Sequence, residues 1–288
     1  MMTDPHIVVL FHHFRSFLER VAARGIDAAP LKGAHLLTSV YPPNEDRGPM
    51  ADVDFLVRPE QWDDALEILR EMGFVQRPLP GREATRRELY EAPFVLNVSQ
   101  NAQILFEPHR YLVQPARLPA DYDALWARAS ASTFEGAPCK RLCTEDHLLH
   151  AAIHLSTHFF NLPSTWMRDV SLLIESGPPD WGAIARRADE WRIRRVLWLT
   201  AVLHREGTGL DTLAPLIDRL SISAPVRKLL RYLVPNIRGF RRPDLPLRVR
   251  EALLWPALLD SPRDAVRFAT YYARLRSRDF LTSLNRPQ

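Results

Sequence analysis

Residues 51–57 read ADVDFLV, and the rest of the chain is best understood outward from them. Val53, Phe55 and Val57 alternate with Asp52 and Asp54, so the two-residue period of a strand puts three apolar side chains on one face and two carboxylates on the other. Downstream, Trp62, Leu66 and Leu69 recur at helical spacing across residues 60–72, and Gly73 follows as a C-terminal stop. This predicts an amphipathic helix leading back into a strand at Phe74 and Val75. Two further strands are expected at 94–98 and 103–106, the second running straight into Glu107-Pro108-His109. Upstream, Val8, Phe11, Phe14, Phe17, Leu18 and Val21 predict a helix over 7–23, which Gly25 ends. Pro30-Leu31-Lys32-Gly33 then leads to a second helix over 34–40, closed by the turn-rich residues 41–49. The expected fold class is α+β, with a small mixed sheet packed by helices in a first domain, residues 1–140.

From Glu145 onward strand patterns stop. Helices are expected over 145–160, 164–175, 181–205, 211–220, 224–233, 247–259 and 261–280, which makes residues 141–288 an all-α second domain. The boundary is placed in the turn-rich stretch 136–144. The 288 residues are 46% hydrophobic and 25% charged, a globular composition that excludes disorder, collagen and coiled coil. Charge is uneven. Residues 1–181 carry 17 basic and 24 acidic side chains, whereas residues 182–288 carry 21 and 10, so an acidic front is followed by a basic back. Cys139 and Cys143 alone offer neither a disulfide framework nor a zinc signature, and no 18-residue apolar run or signal-peptide pattern occurs. The expected location is the cytoplasm, with no transmembrane segment.

Two carboxylates at i and i+2 on one strand face can hold divalent cations jointly, and hard oxygen donors suit Mg²⁺, with Mn²⁺ as the alternative. Two-metal phosphoryl chemistry sets its ions about 3.5–4 Å apart and normally needs a third carboxylate. Glu107, at the end of a later strand of the same sheet, is the candidate. Lys32-Gly33 lies at a helix start, where Gly permits close backbone approach and the helix amides favour an anion. Lysine is scarce, only Lys32, Lys140 and Lys228 against 35 arginines, so Lys32 is not background composition.

Taken together, LKGAHL (31–36), DRGPMADVDFLV (46–57) and LFEPHR (105–110) resemble the polymerase-beta-like nucleotidyltransferase superfamily. In particular they are similar to the uncharacterised bacterial nucleotidyltransferase family whose members open with a Leu-Lys-Gly motif. Lys32-Gly33 stands where most of the superfamily has Gly-Ser. Arg47 matches the family's Arg before Asp-x-Asp, Glu107-x-His109 matches its acidic-x-His, and EDHLLHAAIH and WMRDVSLLIES echo its helical region. The resemblance implies transfer of a nucleoside monophosphate from an NTP to an acceptor, with Mg²⁺ and pyrophosphate release. It implies metal ligation and catalysis by Asp52, Asp54 and Glu107, and nucleotide binding by Lys32, Gly33, Arg47 and His109. The acceptor stays open among small molecules, peptides and proteins, with nucleic acid a partner that is open but not favoured. The alternative reading is a catalytically silent nucleotide-binding regulatory or antitoxin-like interaction protein on the same fold.

Three other features take blander readings. His147, His150, His154 and His158 form one stripe of a single helix, too extended for four ligands to converge on one tetrahedral ion, so a packing face is expected. Arg168-Asp169 reads equally as an ion pair or as a phosphate contact. The amphipathic stretch 263–278, with Phe268, Tyr271, Tyr272 and Leu275, reads as a core-facing helix with solvated arginines rather than a nucleic-acid surface.

Overall fold

A computed structural model describes residues 4–42, 45, 47–77, 90–100, 102–115, 117–160, 164–238 and 254–284, with the side chains of 164, 234–238 and 275–284 excepted. The chain divides into two compact units. The first is Met1–Leu112 with Tyr122–His147, and the second is Val113–Asp121 with Leu148–Gln288.

In the first unit the acidic stretch forms strand β2 (Asp52–Val57), flanked by β1 (Ala28–Pro30) and β5 (Ala102–His109), with β4 (Phe94–Ser99) and β3 (Val75–Gln76) beyond. The order β1-β2-β5-β4-β3 is mixed: β2 and β5 are parallel and every other pair is antiparallel. A parallel pair needs a crossover, and α3 (Trp62–Glu71) with β3 and β4 lies along it. Val53, Phe55 and Val57 are fully buried. Helix α1 (Pro5–Ala23) packs on Phe55, with Phe14 and Phe17 ring centroids 5.2 and 4.8 Å from it, and Asp4 caps its start by accepting the His6 N–H at 2.8 Å. Gly73, at φ +86°, supplies the left-handed turn that ends α3.

Sequence patterning misses a hairpin. Residues 130–141, part of them read as turn-rich, form β6 (Ser130–Phe134) and β7 (Ala137–Arg141), preceded by α4 (Tyr122–Arg128). The turn residues Glu135 and Gly136 both have positive φ, as a two-residue primed turn requires, and a Glu in that place hides the signal.

In the second unit, among the described residues, no strand follows β7. The helices are α5 (Thr144–Thr157, begun in the first unit), α6 (Ser164–Glu175), α7 (Trp181–Glu190), α8 (Arg194–Thr208), α9 (Ala214–Arg219), α10 (Ala224–Arg238), a helical segment at 254–258 and α11 (Pro262–Leu284). The helix expected over 181–205 is two helices. Arg192 adopts φ +55°, and α8 restarts with the Arg194 and Arg195 N–H groups donating to Asp260 at 2.8 and 3.0 Å. That cap comes from far along the chain, which no local pattern announces. The helix expected over 145–160 stops earlier, at Thr157, where Phe159 and Phe160 both take positive φ. Of the helix expected over 247–259, residues 247–253 lie outside the described residues. Among the described residues no helix is long and apolar enough to cross a membrane.

Candidate active site

The parallel register of β2 and β5 places Asp54 opposite Glu107, Asp52 opposite Leu105 and Leu56 opposite His109. Alternation then sets Asp52, Asp54, Glu107 and His109 on one face of the sheet, while Phe55 and Phe106 face the core under α1 on the other. β1 pairs antiparallel with β2, and the Leu31 N–H donates to the Asp54 carbonyl at 2.9 Å, so the chain enters α2 (Lys32–Ser39) beside the carboxylates. Lys32 begins that helix in the left-handed region, φ +44°, a strained conformation for a side-chain-bearing residue.

Asp54 is the hub. Its Oδ1 accepts the Lys32 Nζ at 2.7 Å and lies 2.9 Å from His109 Nε2. The residue is only 5% exposed, and burial alone would raise its pKa. Lys32 and His109 outweigh that and hold it well below the usual carboxylate range. Lys32 shows the converse balance, since burial disfavours its charge but Asp54, Asp52 and Glu107 keep the ammonium raised above its ordinary pKa. Glu107 is pushed up to about 7 by burial and then by the charges of Asp54 and Asp52, and Asp52 is raised by burial and by Asp54. The group is thus richer in negative charge than its cations neutralise.

Among the described residues, Asp54, Glu107 and His109 each offer a ligand atom, and these atoms lie within 4.8 Å of one another. Asp52 stands two residues back on the same face, outside this cluster. His109, which the family pattern puts on the nucleotide side, is seated on Asp54. Gly33 is buried; a Cβ there would meet Met50 Sδ at 2.5 Å and Arg47 Nη1 at 3.0 Å, so the absent side chain lets Arg47 fold over the start of α2. Leu31, at the N-cap, gives α2 no side-chain hydrogen bond. Sequence reading missed Glu91. It pairs with His109 in an isolated antiparallel bridge at the end of β5, with Oε2 4.0 Å from Nδ1, and nothing in local spacing marks it.

The histidine stripe divides. The His147 ring stacks on His35 of α2 at 3.7 Å between centroids, His150 is buried, and His154 and His158 flank Trp166 at 4.5 and 5.2 Å.

A mixed sheet presenting carboxylates from two parallel neighbouring strands beside a lysine-led helix fits a nucleotidyl-transferring class of protein. Over residues 7–209 the sequence matches the uncharacterised nucleotidyltransferase family, and the chain belongs to it. No curated protein matches the chain. Among solved structures, a crystal structure of ANT(2'')-Ia in complex with adenylyl-2''-tobramycin is 12% identical with a TM-score of 0.41, covering 64% of this chain and 97% of that one. The solution structure of the antibiotic-resistance factor ANT(2'')-Ia is 12% identical, TM-score 0.42, covering 70% and 99%. An antigenic nucleotidyltransferase-like protein from Paracoccidioides brasiliensis is 16% identical, TM-score 0.49, covering 72% and 91%.

Proposed function

We propose that this chain transfers a nucleoside monophosphate from an NTP to an acceptor with release of pyrophosphate. The observation that carries the reading is the β2/β5 register, which sets Asp54 against Glu107 with Lys32 on the same carboxylate. Half-buried and buried carboxylates on one face, only partly balanced by Lys32, are a donor set that a divalent cation would neutralise. Asp52, Asp54 and Glu107 would hold Mg²⁺, which when bound draws negative charge off the triphosphate and acidifies the attacking group.

The protein's own part is charge placement and proton transfer. Lys32 is held ready by Asp54 and turns its ammonium to the triphosphate, the Gly33 amide and the uncapped first turn of α2 receive a phosphate oxygen, and Arg47 adds a second positive charge. Glu107 orients the acceptor and takes its proton on a carboxylate oxygen. Residues 141–288 are assigned to the acceptor, a small molecule, peptide or protein.

The test is calorimetric titration of each NTP, with Mg²⁺, into the wild-type chain and into the Asp52→Asn/Asp54→Asn double variant. Metal-dependent binding of an NTP that the double variant loses, with pyrophosphate released when candidate acceptors are added, supports the reading; the same binding without pyrophosphate across acceptors favours the catalytically silent nucleotide-binding protein. A wild-type chain that binds no NTP with metal present overturns it in favour of a catalytically silent interaction protein.

A further inference from the structure

The His109 ring lies between two carboxylates. Its Nε2 is 2.9 Å from Asp54 Oδ1. Its Nδ1 is buried and, among the described residues, makes no hydrogen bond, yet it faces Glu91 Oε2 at 4.0 Å. Glu91 reaches this place because residues 90–92 run antiparallel to the end of β5. The Ala92 N–H donates to the Pro108 carbonyl at 3.1 Å, and the Arg110 N–H donates to the Tyr90 carbonyl at 2.7 Å. This segment belongs to none of the three motifs that marked the site in the sequence.

We infer that His109 is a nitrogen ligand of the metal centre, that Glu91 is the carboxylate orienting it, and that the site therefore takes Mn²⁺ in preference to Mg²⁺. The inference rests on the metal-dependent reading above and deepens it. His109 Nε2 and Asp54 Oδ1 are 2.9 Å apart, and both lie with a Glu107 oxygen within 4.8 Å of one another, so the three residues would be able to hold one divalent ion. Ligation uses the Nε2 lone pair, which leaves the ring proton on Nδ1, the nitrogen that faces Glu91. A ligating histidine ordinarily gives its second N–H to a carboxylate, and here the carboxylate stands about 1 Å beyond hydrogen-bonding distance. With a cation on Nε2, the Nδ1 proton would be directed at Glu91. Mg²⁺ favours oxygen donors and sheds water reluctantly, whereas imidazole alongside two carboxylates suits a first-row transition ion. Glu91 touches neither substrate nor metal in this scheme and is a positioning residue.

The probe is Mn²⁺ itself, added to the purified chain of 288 residues. Bound ion is counted by electron paramagnetic resonance, and spin-echo modulation reads nitrogen coupling with natural and ¹⁵N-labelled histidine. The expected result is one Mn²⁺ bound in an Asp54-dependent way, with ¹⁴N modulation that histidine labelling changes, and displacement only by a large excess of Mg²⁺. His109→Gln loses the coupling, and Glu91→Gln keeps it while binding Mn²⁺ about 10- to 100-fold more weakly. Asp54-dependent binding without histidine modulation, equal affinity for Mg²⁺, or wild-type affinity in Glu91→Gln overturns the inference while leaving nucleotidyl transfer standing. No Asp54-dependent Mn²⁺ binding at all overturns both. The labelling experiment uses the wild-type chain, so it decides the matter even where a variant fails to fold.

Discussion

Lys32 carries two opposed demands. Its backbone is held at φ +44° at the first position of α2, and its ammonium sits 2.7 Å from a carboxylate that is almost wholly buried. Removing one partner of such a pair leaves the other desolvated and poorly compensated. Lys32→Met is therefore expected to lower stability by about 3 kcal/mol, read by urea unfolding, and to weaken NTP binding at least about tenfold, read by calorimetry. A variant with wild-type NTP affinity would remove Lys32 from the phosphate-binding role. The residue type and its neighbour Gly33 were legible in the sequence, because Lys is rare in this chain and Gly permits close approach. The Asp54 contact was not, since it depends on β1 lying beside β2.

At the scale of elements, what a strand or helix does here is set by what pairs with it. β2 was readable because Asp52 and Asp54 alternate with three apolar residues, a pattern only a strand reconciles. That β5 runs parallel beside it, and that Asp54 thereby meets Glu107, depends on a crossover of more than forty residues whose pairing no local window contains. The break between α7 and α8 makes the same point. The apolar spacing runs on through Trp191 and Ile193, but Asp260 supplies the cap that lets α8 begin afresh at Arg194. Asp260→Ala should cost about 1–2 kcal/mol of stability in urea unfolding, the loss typical of a removed N-cap. An unchanged midpoint and slope would show that the cap contributes nothing.

At the scale of the whole molecule, stability should depend on pH through His35. This residue is buried against His147, and burial, followed by the nearby charge of Arg141, lowers its pKa from 6.5 to about 4. The unfolded chain takes up this proton first as pH falls, so the stabilisation is complete above about pH 6.5, is lost through the window down to about pH 4, and levels off below it. The loss amounts to about 3 kcal/mol. His35→Phe should remove that loss, so in thermal melts the variant gains on wild type by about 3 kcal/mol as pH falls from 6.5 to 4, while Glu107, whose raised pKa acts in the opposite sense over much of the same window, is common to both chains and drops out of the comparison; parallel profiles would refute the assignment. The same scale separates what each level of description decided. By itself the sequence determined the class: an α+β front with strands marked by alternating Asp and apolar residues, a helical back marked by apolar spacing, and the pieces Lys32-Gly33, Asp52-x-Asp54 and Glu107-x-His109 in the order of a nucleotidyltransferase. These are local properties, fixed by backbone periodicity and side-chain type. Only the tertiary structure decided that Asp54 is the hub, that His109 and Lys32 meet on one of its oxygens, that Glu91 stands behind His109, and that residues 130–141 form a hairpin. Those outcomes arise from strand register and distant pairing, where the free energy comes from burying faces against partners far along the chain.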